Sequence, residues 1–268
     1  MTSIEINGLY KAYMNRKGDT AAVVLQNVSM KIDEGEFVCL IGPSGCGKTT
    51  ILNIIAGFEK PTKGKVMYSG KDISESQGVF GVVFQEYSLL PWMNVLQNVI
   101  FGLEGKNIPK TEKEKIAKEC LTAVGLSEHL DQRPNLLSGG MKQRVAIARM
   151  LAMDPDVMLM DEPFSNLDEQ TRKMLDRQVT KIWEEKRKTV LFVTHNVDEA
   201  IMLGSRIVML SSAPGKLIKE WNVSGGHKRY GSRDYLDLRN DIMRNLQSCS
   251  CAGPDPDIRI TEIKDTEE

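Results

Sequence analysis

The stretch Gly42-Pro43-Ser44-Gly45-Cys46-Gly47-Lys48-Thr49-Thr50 decides how this chain is read. A glycine, four residues, then Gly-Lys-Thr is the spacing of a loop whose backbone N–H groups turn inward around phosphates. The context agrees with the motif. Phe37-Val38-Cys39-Leu40-Ile41 is a compact apolar strand running straight into the loop. Thr49 to Ala56 carries Ile51, Leu52, Ile54 and Ile55, a buried helix stopped by Gly57 and Pro61. The helix N-terminus adds partial positive charge to the cradle. Lys48 is expected to bridge the β- and γ-phosphates, and Thr49 to hold Mg²⁺ through its hydroxyl, so the expected ligand is ATP with Mg²⁺.

Outward from the loop, residues 4 to 41 cluster apolar residues in short runs punctuated by Gly8, Gly18 and Gly35, which read as strands and turns. Residues 63 to 84 read as β again, ending in the strand Val79–Phe84. Residues 109 to 125 place Ile116, Cys120, Leu121 and Val124 on one face, an amphipathic helix started by Pro109 and ended by Gly125. A helix over 141 to 153 leads into the buried strand Val157–Met160. Residues 169 to 186 are helical, and Thr189–Val193 and Ile207–Leu210 are strands. A terminal helix is expected over 232 to 246, with a loose polar tail from Ser248. Strand–loop–helix, an inserted helical stretch and then repeated βαβ order give an α/β P-loop NTPase fold.

The chain has 268 residues, 41% hydrophobic and 26% charged, which suits a globular α/β domain. Its net charge of −1 gives no reason to expect a nucleic-acid partner. No run approaches the roughly 18 apolar residues needed to cross a bilayer. The opening MTSIEINGLYKAY lacks the basic and apolar regions of a secretory signal, so a cytoplasmic protein able to dock on a membrane protein is expected. Cys39, Cys46 and Cys120 are scattered, and Cys249 and Cys251 form a lone C-x-C without a second pair. They read as reduced thiols, with no metal assigned.

The second chemical site is Val157-Met158-Leu159-Met160-Asp161-Glu162. A buried strand ending in two acids places charge at the C-terminal edge of a parallel sheet, where ligands bind in such folds. Asp161 is expected to orient the Mg²⁺ water shell, and Glu162 to polarise the attacking water as general base.

Leu137-Ser138-Gly139-Gly140-Met141, followed by Lys142-Gln143-Arg144, resembles the signature motif of ABC-type ATPases. Ser138 stands 23 residues before Asp161, the spacing familiar in that family. The resemblance implies an ABC-type nucleotide-binding domain with a RecA-like core, an antiparallel β subdomain and a helical subdomain over about residues 86 to 150. It implies a cassette over residues 3 to 235, followed by a C-terminal helix and tail over 236 to 268. Ser138, Gly139 and Gly140 would form a second anion cradle that caps the γ-phosphate bound by the opposite subunit, in a homodimer or a paired cassette. Gln85 matches the glutamine that senses Mg²⁺ and the transmembrane partner, and His195 the switch histidine that contacts the γ-phosphate. Ser165-Asn166-Leu167-Asp168 looks like the D-loop, with Asn166 where alanine is more usual. Tyr13 is the candidate aromatic for stacking on adenine, with Tyr10 second. Met141 departs from the family's usual glutamine; it removes a polar contact but leaves Ser138 and both glycines, so ATPase activity is expected to survive.

Within the family, Gln132-Arg133-Pro134-Asn135-Leu136 lacks the Gly-Glu-Arg-Gly type of element seen in exporters. The 45 residues after Val223 are too few for the regulatory β-domain of sugar-type importer ATPases. The segment Val83 to Trp92, with Leu90-Pro91-Trp92, and Ser211-Ser212-Ala213-Pro214-Gly215 resemble the nitrate/sulfonate/taurine importer ATPases. An importer subunit is therefore expected, at the cytoplasmic face of the membrane. Its partners would be a separate permease and, indirectly, a periplasmic or lipoprotein solute-binding protein. Leu89, Leu90, Trp92 and Met93 would form the apolar patch that receives the permease. An exporter motor, and a non-transport ABC ATPase acting on DNA or ribosomes, remain alternatives.

Overall fold

The computed structural model describes residues 4–14, 21–76, 80–165 and 167–251; Gly18, Val79, Asn166 and the tail beyond Cys251 lie outside the described residues. The chain divides into two compact units, one from residues 1–76 and 193–268 and the other from residues 77–192.

The first unit begins with the strands β1 (Ile4–Met14) and β2 (Ala21–Ile32), paired antiparallel with Ile4 opposite Ile32 and Ile6 opposite Met30. Side chains alternate across a strand, so Ile4 and Ile6 of β1, and Val28, Met30 and Ile32 of β2, are buried; Leu25 is buried beyond the irregularity at Asn27, φ 51°. Strand β3 (Phe37–Ile41), buried at every residue, runs through the phosphate-loop segment into helix α1 (Lys48–Ile55). Strands β4 (Lys63–Tyr68) and β5 (Lys71–Asp72) complete the first sheet in the order β2-β1-β4-β5. The long β reading over 63 to 84 is thus interrupted. Ser69 and Gly70 turn at φ 52° and 78°, and Ile73–Glu75 forms a 3-10 turn capped by the Asp72 side chain.

Gly8 bulges β1 at φ 56°, and Gly64 lies opposite it at φ 86°. A Cβ on Gly64 would run into the carbonyl oxygen of Gly8. Gly64→Ala is therefore expected to cost about 2–3 kcal/mol, a fall in Tm of roughly 5–10 °C by thermal unfolding. An unchanged Tm would show that the two strands part there at no cost.

In the second unit, strands β6 (Phe80–Val83), β7 (Val157–Asp161) and β8 (Thr189–Val193) follow the order β8-β7-β6, with β6 and β7 parallel. Four helices cover this unit's remaining chemistry: α2 (Val95–Phe101), α3 (Lys110–Ala123), α4 (Gly139–Met153) and α5 (Glu169–Lys186). Helix α3 stops at Ala123, before Gly125, which turns the chain at φ 69°. Helix α4 starts at Gly139, two residues earlier than its apolar periodicity predicts, because the Ser138 side chain caps it. Helix α2 is short but carries a full capping box between Asn94 and Gln97.

Returning to the first unit, α6 (Val197–Leu203) precedes β9 (Arg206–Leu210), which pairs parallel with β3 and antiparallel with β10 (Leu217–Asn222). Arg206 ties these strands together through Glu36 at 2.8 Å and Glu220 at 2.9 Å. The terminal helix α7 runs over Arg233–Cys251 rather than 232 to 246. Its buried stripe of Tyr235, Leu238 and Ile242 holds the middle. Ser212 Oγ donates to the Cys249 carbonyl at 2.6 Å, so residues 248 to 251, expected to begin a loose tail, continue the helix.

Candidate active site

In the first unit the chain from Ile41 to Lys48 makes a cradle of backbone. Gly42, Gly45 and Gly47 sit at φ 155°, 77° and 97°, where a side chain is strained. At Gly47 a Cβ would also lie 2.5 Å from Leu25 Cδ2, and at Gly42 one would lie 3.0 Å from the Leu210 carbonyl. Helix α1 has no side-chain cap at Gly47. Its first-turn N–H groups therefore point into the loop, an arrangement that favours an anion. Lys48 is buried, and its Nζ donates to the carbonyls of Gly42 at 2.8 Å and Pro43 at 2.9 Å. The cation is thus held at the mouth of the cradle. Pro43 is half-buried; Ser44 and Thr49 are exposed, whereas Thr50 is buried. Cys46 is buried beneath Lys48, and that burial raises its thiol pKa against the opposing pull of the cation, so it stays a protonated packing group.

Tyr13 joins this loop directly. Its hydroxyl donates to Glu59 and lies 3.4 Å from Thr50 Oγ1, while Lys11 Nζ stands 4.8 Å above its ring. Burial, then the Glu59 contact, pushes the phenol pKa up. The ring is 39% exposed, so an aromatic face is presented beside the loop. His195, exposed, follows the last residues of β8, and the neighbouring Thr194 N–H donates to Leu40 O at 3.2 Å. That bond seats the histidine segment beside the end of β3, two residues before Gly42. The first unit thus brings together the phosphate loop, Tyr13 and His195.

In the second unit, Val83 pairs with Met160, so Gln85 and the pair Asp161 and Glu162 lie at the same C-terminal edge of two parallel strands. Asp161 is buried. Glu162 occupies the left-handed region at φ 44°, and Ser165 donates to its carbonyl from both N at 3.2 Å and Oγ at 3.0 Å. A non-glycine residue in that region is strained, a feature that clusters at active sites. Ser138 caps α4 by accepting from Met141 N at 3.3 Å, with the Gly139 and Gly140 amides in the first turn. Asp168 caps α5 by accepting from Thr171 N at 2.9 Å, and this contact with Thr171 holds its carboxyl below the usual range.

Three residues given no role by the sequence support these segments. Tyr87 Oη would lie 2.8 Å from a Cβ on Gly139, so a side chain there would have to displace the Tyr87 hydroxyl. Gln143 Nε2 donates to Phe84 O at 3.5 Å, tying α4 to the segment before Gln85. Asn98, fully buried, accepts from Leu90 N at 2.8 Å and donates to the carbonyls of Leu90, Met93 and Asn94. It fixes the loop on which Trp92 stands 67% exposed.

Among the described residues no group of three or more His, Cys, Asp or Glu side chains converges to hold a metal ion. Thr49, Asp161 and Gln85 are of the donor types for Mg²⁺. Among the described residues no helix is long and apolar enough to cross a membrane.

Residues 25–165 match the family model of the ABC transporter. The chain is 54% identical to an ABC transporter ATP-binding protein of Methanocaldococcus jannaschii over 83% of its length and 84% of the relative's. It is 46% identical to the bicarbonate transport ATP-binding protein CmpD of Synechocystis, over 81% and 77% of the two chains. It is 44% identical to the taurine import ATP-binding protein TauB of Roseobacter denitrificans, over 83% of each. Among solved structures, it is similar to the dimeric post-hydrolysis state of the ATP-binding cassette MJ0796 bound to ADP and Pi. The TM-score is 0.77 at 36% identity, covering 83% of this chain and 99% of that one.

Proposed function

We propose, from the premise that the chain belongs to the ABC transporter family, that it is the ATP-hydrolysing motor of an importer. It would bind ATP at a head-to-tail dimer interface and drive a separate permease for nitrate-, sulfonate-, taurine- or bicarbonate-like small solutes. The observation that carries the reading is the cradle at Gly42–Thr50, with its strained glycines, uncapped helix start and buried Lys48. The relatives named as bicarbonate transport and taurine import ATP-binding proteins support the solute class, and the taurine import name supports the direction. The dimeric cassette of similar fold supports a pair of chains.

In this reading the cradle and Lys48 hold the β- and γ-phosphates, and Tyr13 stacks on adenine. Thr49 and Gln85, with Asp161 through water, would hold Mg²⁺, which when bound would supply neutralisation of charge on the phosphates. Glu162 accepts the proton of the attacking water, and His195 contacts the γ-phosphate. Ser138, Gly139 and Gly140 of one copy close on the triphosphate held by the other, with Asp168 at the same interface. The cassette spans residues 3 to 235 with a helical subdomain over about 86 to 150, and sits peripherally at the cytoplasmic face of the membrane.

The permease is received on the loop after Gln85. There Trp92 and Pro91 are exposed, Leu89, Leu90 and Met93 are half-buried, and an open groove of about 780 Å³ runs from Gln85 to Pro91 against Pro134, Asn135 and Lys142. Large exposed aromatics rooted on a fixed loop dominate binding energy at interfaces. Trp92→Ala is expected to weaken co-purification with the permease at least about tenfold while leaving ATP turnover of the isolated subunit within roughly twofold. Undiminished co-purification would move the docking site elsewhere.

A further inference from the structure

We propose that Glu199 is a positioning residue for His195, acting through the backbone on both sides of it; this rests on the reading of His195 as the residue that contacts the γ-phosphate. Glu199 stands in the first turn of α6 and is 8% exposed. A buried carboxyl group must find hydrogen-bond donors, and this one takes them from the two neighbours of His195. Thr194 Oγ1 donates to Glu199 Oε2 at 2.7 Å, and Asn196 Nδ2 donates to Glu199 Oε1 at 3.4 Å. The Thr194 hydroxyl in turn accepts from Asn196 N at 3.0 Å. Asn196 closes the circuit by capping α6, accepting from the N–H groups of Asp198 at 2.9 Å and Glu199 at 3.3 Å.

The three residues 194–196 are therefore clamped at both ends by one side chain, with His195 exposed at the crest. The clamp is anchored on two further sides. Thr194 N bonds Leu40 O of the strand that enters the phosphate loop. Asp198 accepts from Tyr235 Oη at 2.6 Å and Arg239 Nε at 2.7 Å, which fixes α6 on the terminal helix. A side chain that must meet a transferring phosphoryl group tolerates little displacement, since a misplacement of about 1 Å costs on the order of a hundredfold in rate. Glu199 supplies that placement for His195 without touching the nucleotide.

The test compares single-turnover ATP hydrolysis and fluorescent-nucleotide affinity for the wild type, Glu199→Ala, Glu199→Gln, Thr194→Val, His195→Ala and the double variant Glu199→Ala with His195→Ala. Glu199→Ala is expected to slow hydrolysis roughly 10- to 100-fold with nucleotide affinity within about twofold. Glu199→Gln, whose amide oxygen still accepts from Thr194, should recover most of the rate. Thr194→Val should reproduce much of the loss even if Glu199→Ala fails to fold. The double variant should be no slower than His195→Ala alone. A wild-type rate in Glu199→Ala, a loss that multiplies with that of His195→Ala, or an equal loss of nucleotide affinity would overturn the positioning role. A wild-type rate in His195→Ala would instead remove the role of His195 itself, and the positioning role with it.

Discussion

Glu162→Gln is expected to lower steady-state ATP turnover at least about a hundredfold while leaving ATP binding intact. The substitution preserves volume and leaves the backbone at φ 44°, where Ser165 pins the carbonyl from two donors. It leaves buried Asp161 in place beside it. What it removes is the carboxylate assigned to take the proton of the attacking water. Binding and chemistry should therefore separate, and the variant should accumulate as an ATP-bound dimer, seen as a doubling of mass on size exclusion with light scattering. Normal steady-state hydrolysis would sink the assignment of Glu162 as general base.

Lys48→Ala should fail differently, losing binding and turnover together. The Lys48 ammonium is buried and already donates to Gly42 and Pro43, so it reaches a phosphate by exchanging loop carbonyls for a more strongly charged acceptor. Hydrogen bonds to charged groups contribute about 1.5–3 kcal/mol each, so ATP affinity should fall at least about tenfold and turnover at least about a hundredfold. The substitution also takes the donor from the Gly42 and Pro43 carbonyls, so a fall in Tm of a few degrees should accompany the loss of binding. The pair of variants is diagnostic: equilibrium binding of a fluorescent ATP analogue should survive in Glu162→Gln and collapse in Lys48→Ala. Wild-type affinity in Lys48→Ala would place the phosphates away from this loop.

Much of the fold was legible where local signals were strong. The bounds of β3, α5 and β8 match the sequence pattern residue for residue, because an unbroken apolar pentamer, or an Asp168 cap followed by eighteen helical residues, leaves few alternatives. The elements that went unread are short or held by distant partners. Helices α2 and α6 have seven residues each, and only the caps at Asn94 and Asn196 betray them. Strand β10 stands on Arg206 with Glu220 and on Trp221 Nε1 donating to Asp241 at 2.7 Å, contacts that no local window contains. The site divides the same way. Motif and local context pointed to the phosphate loop and the two acids, and the family resemblance pointed to the signature serine. Two of the residues that support the site sit far away in sequence: Glu59 on Tyr13 and Tyr87 against Gly139. Glu199 is close in sequence to His195, yet its meaning depends on a burial that the pattern does not state.

The central claim is that each ATP is hydrolysed between the phosphate loop of one copy and the signature helix of another. Mixing two inactive variants tests it most directly. Lys48→Ala retains a sound Ser138–Gly140 segment, and Ser138→Arg retains a sound Gly42–Thr50 loop. Each alone should hydrolyse ATP at no more than a few percent of the wild-type rate, by analogy with other losses of a transition-state contact. A mixture of the two should recover activity well above their sum, because a mixed dimer contains one complete site. Activity equal to the sum of the separate variants, at concentrations where the wild type dimerises on ATP, would contradict a site shared between two chains.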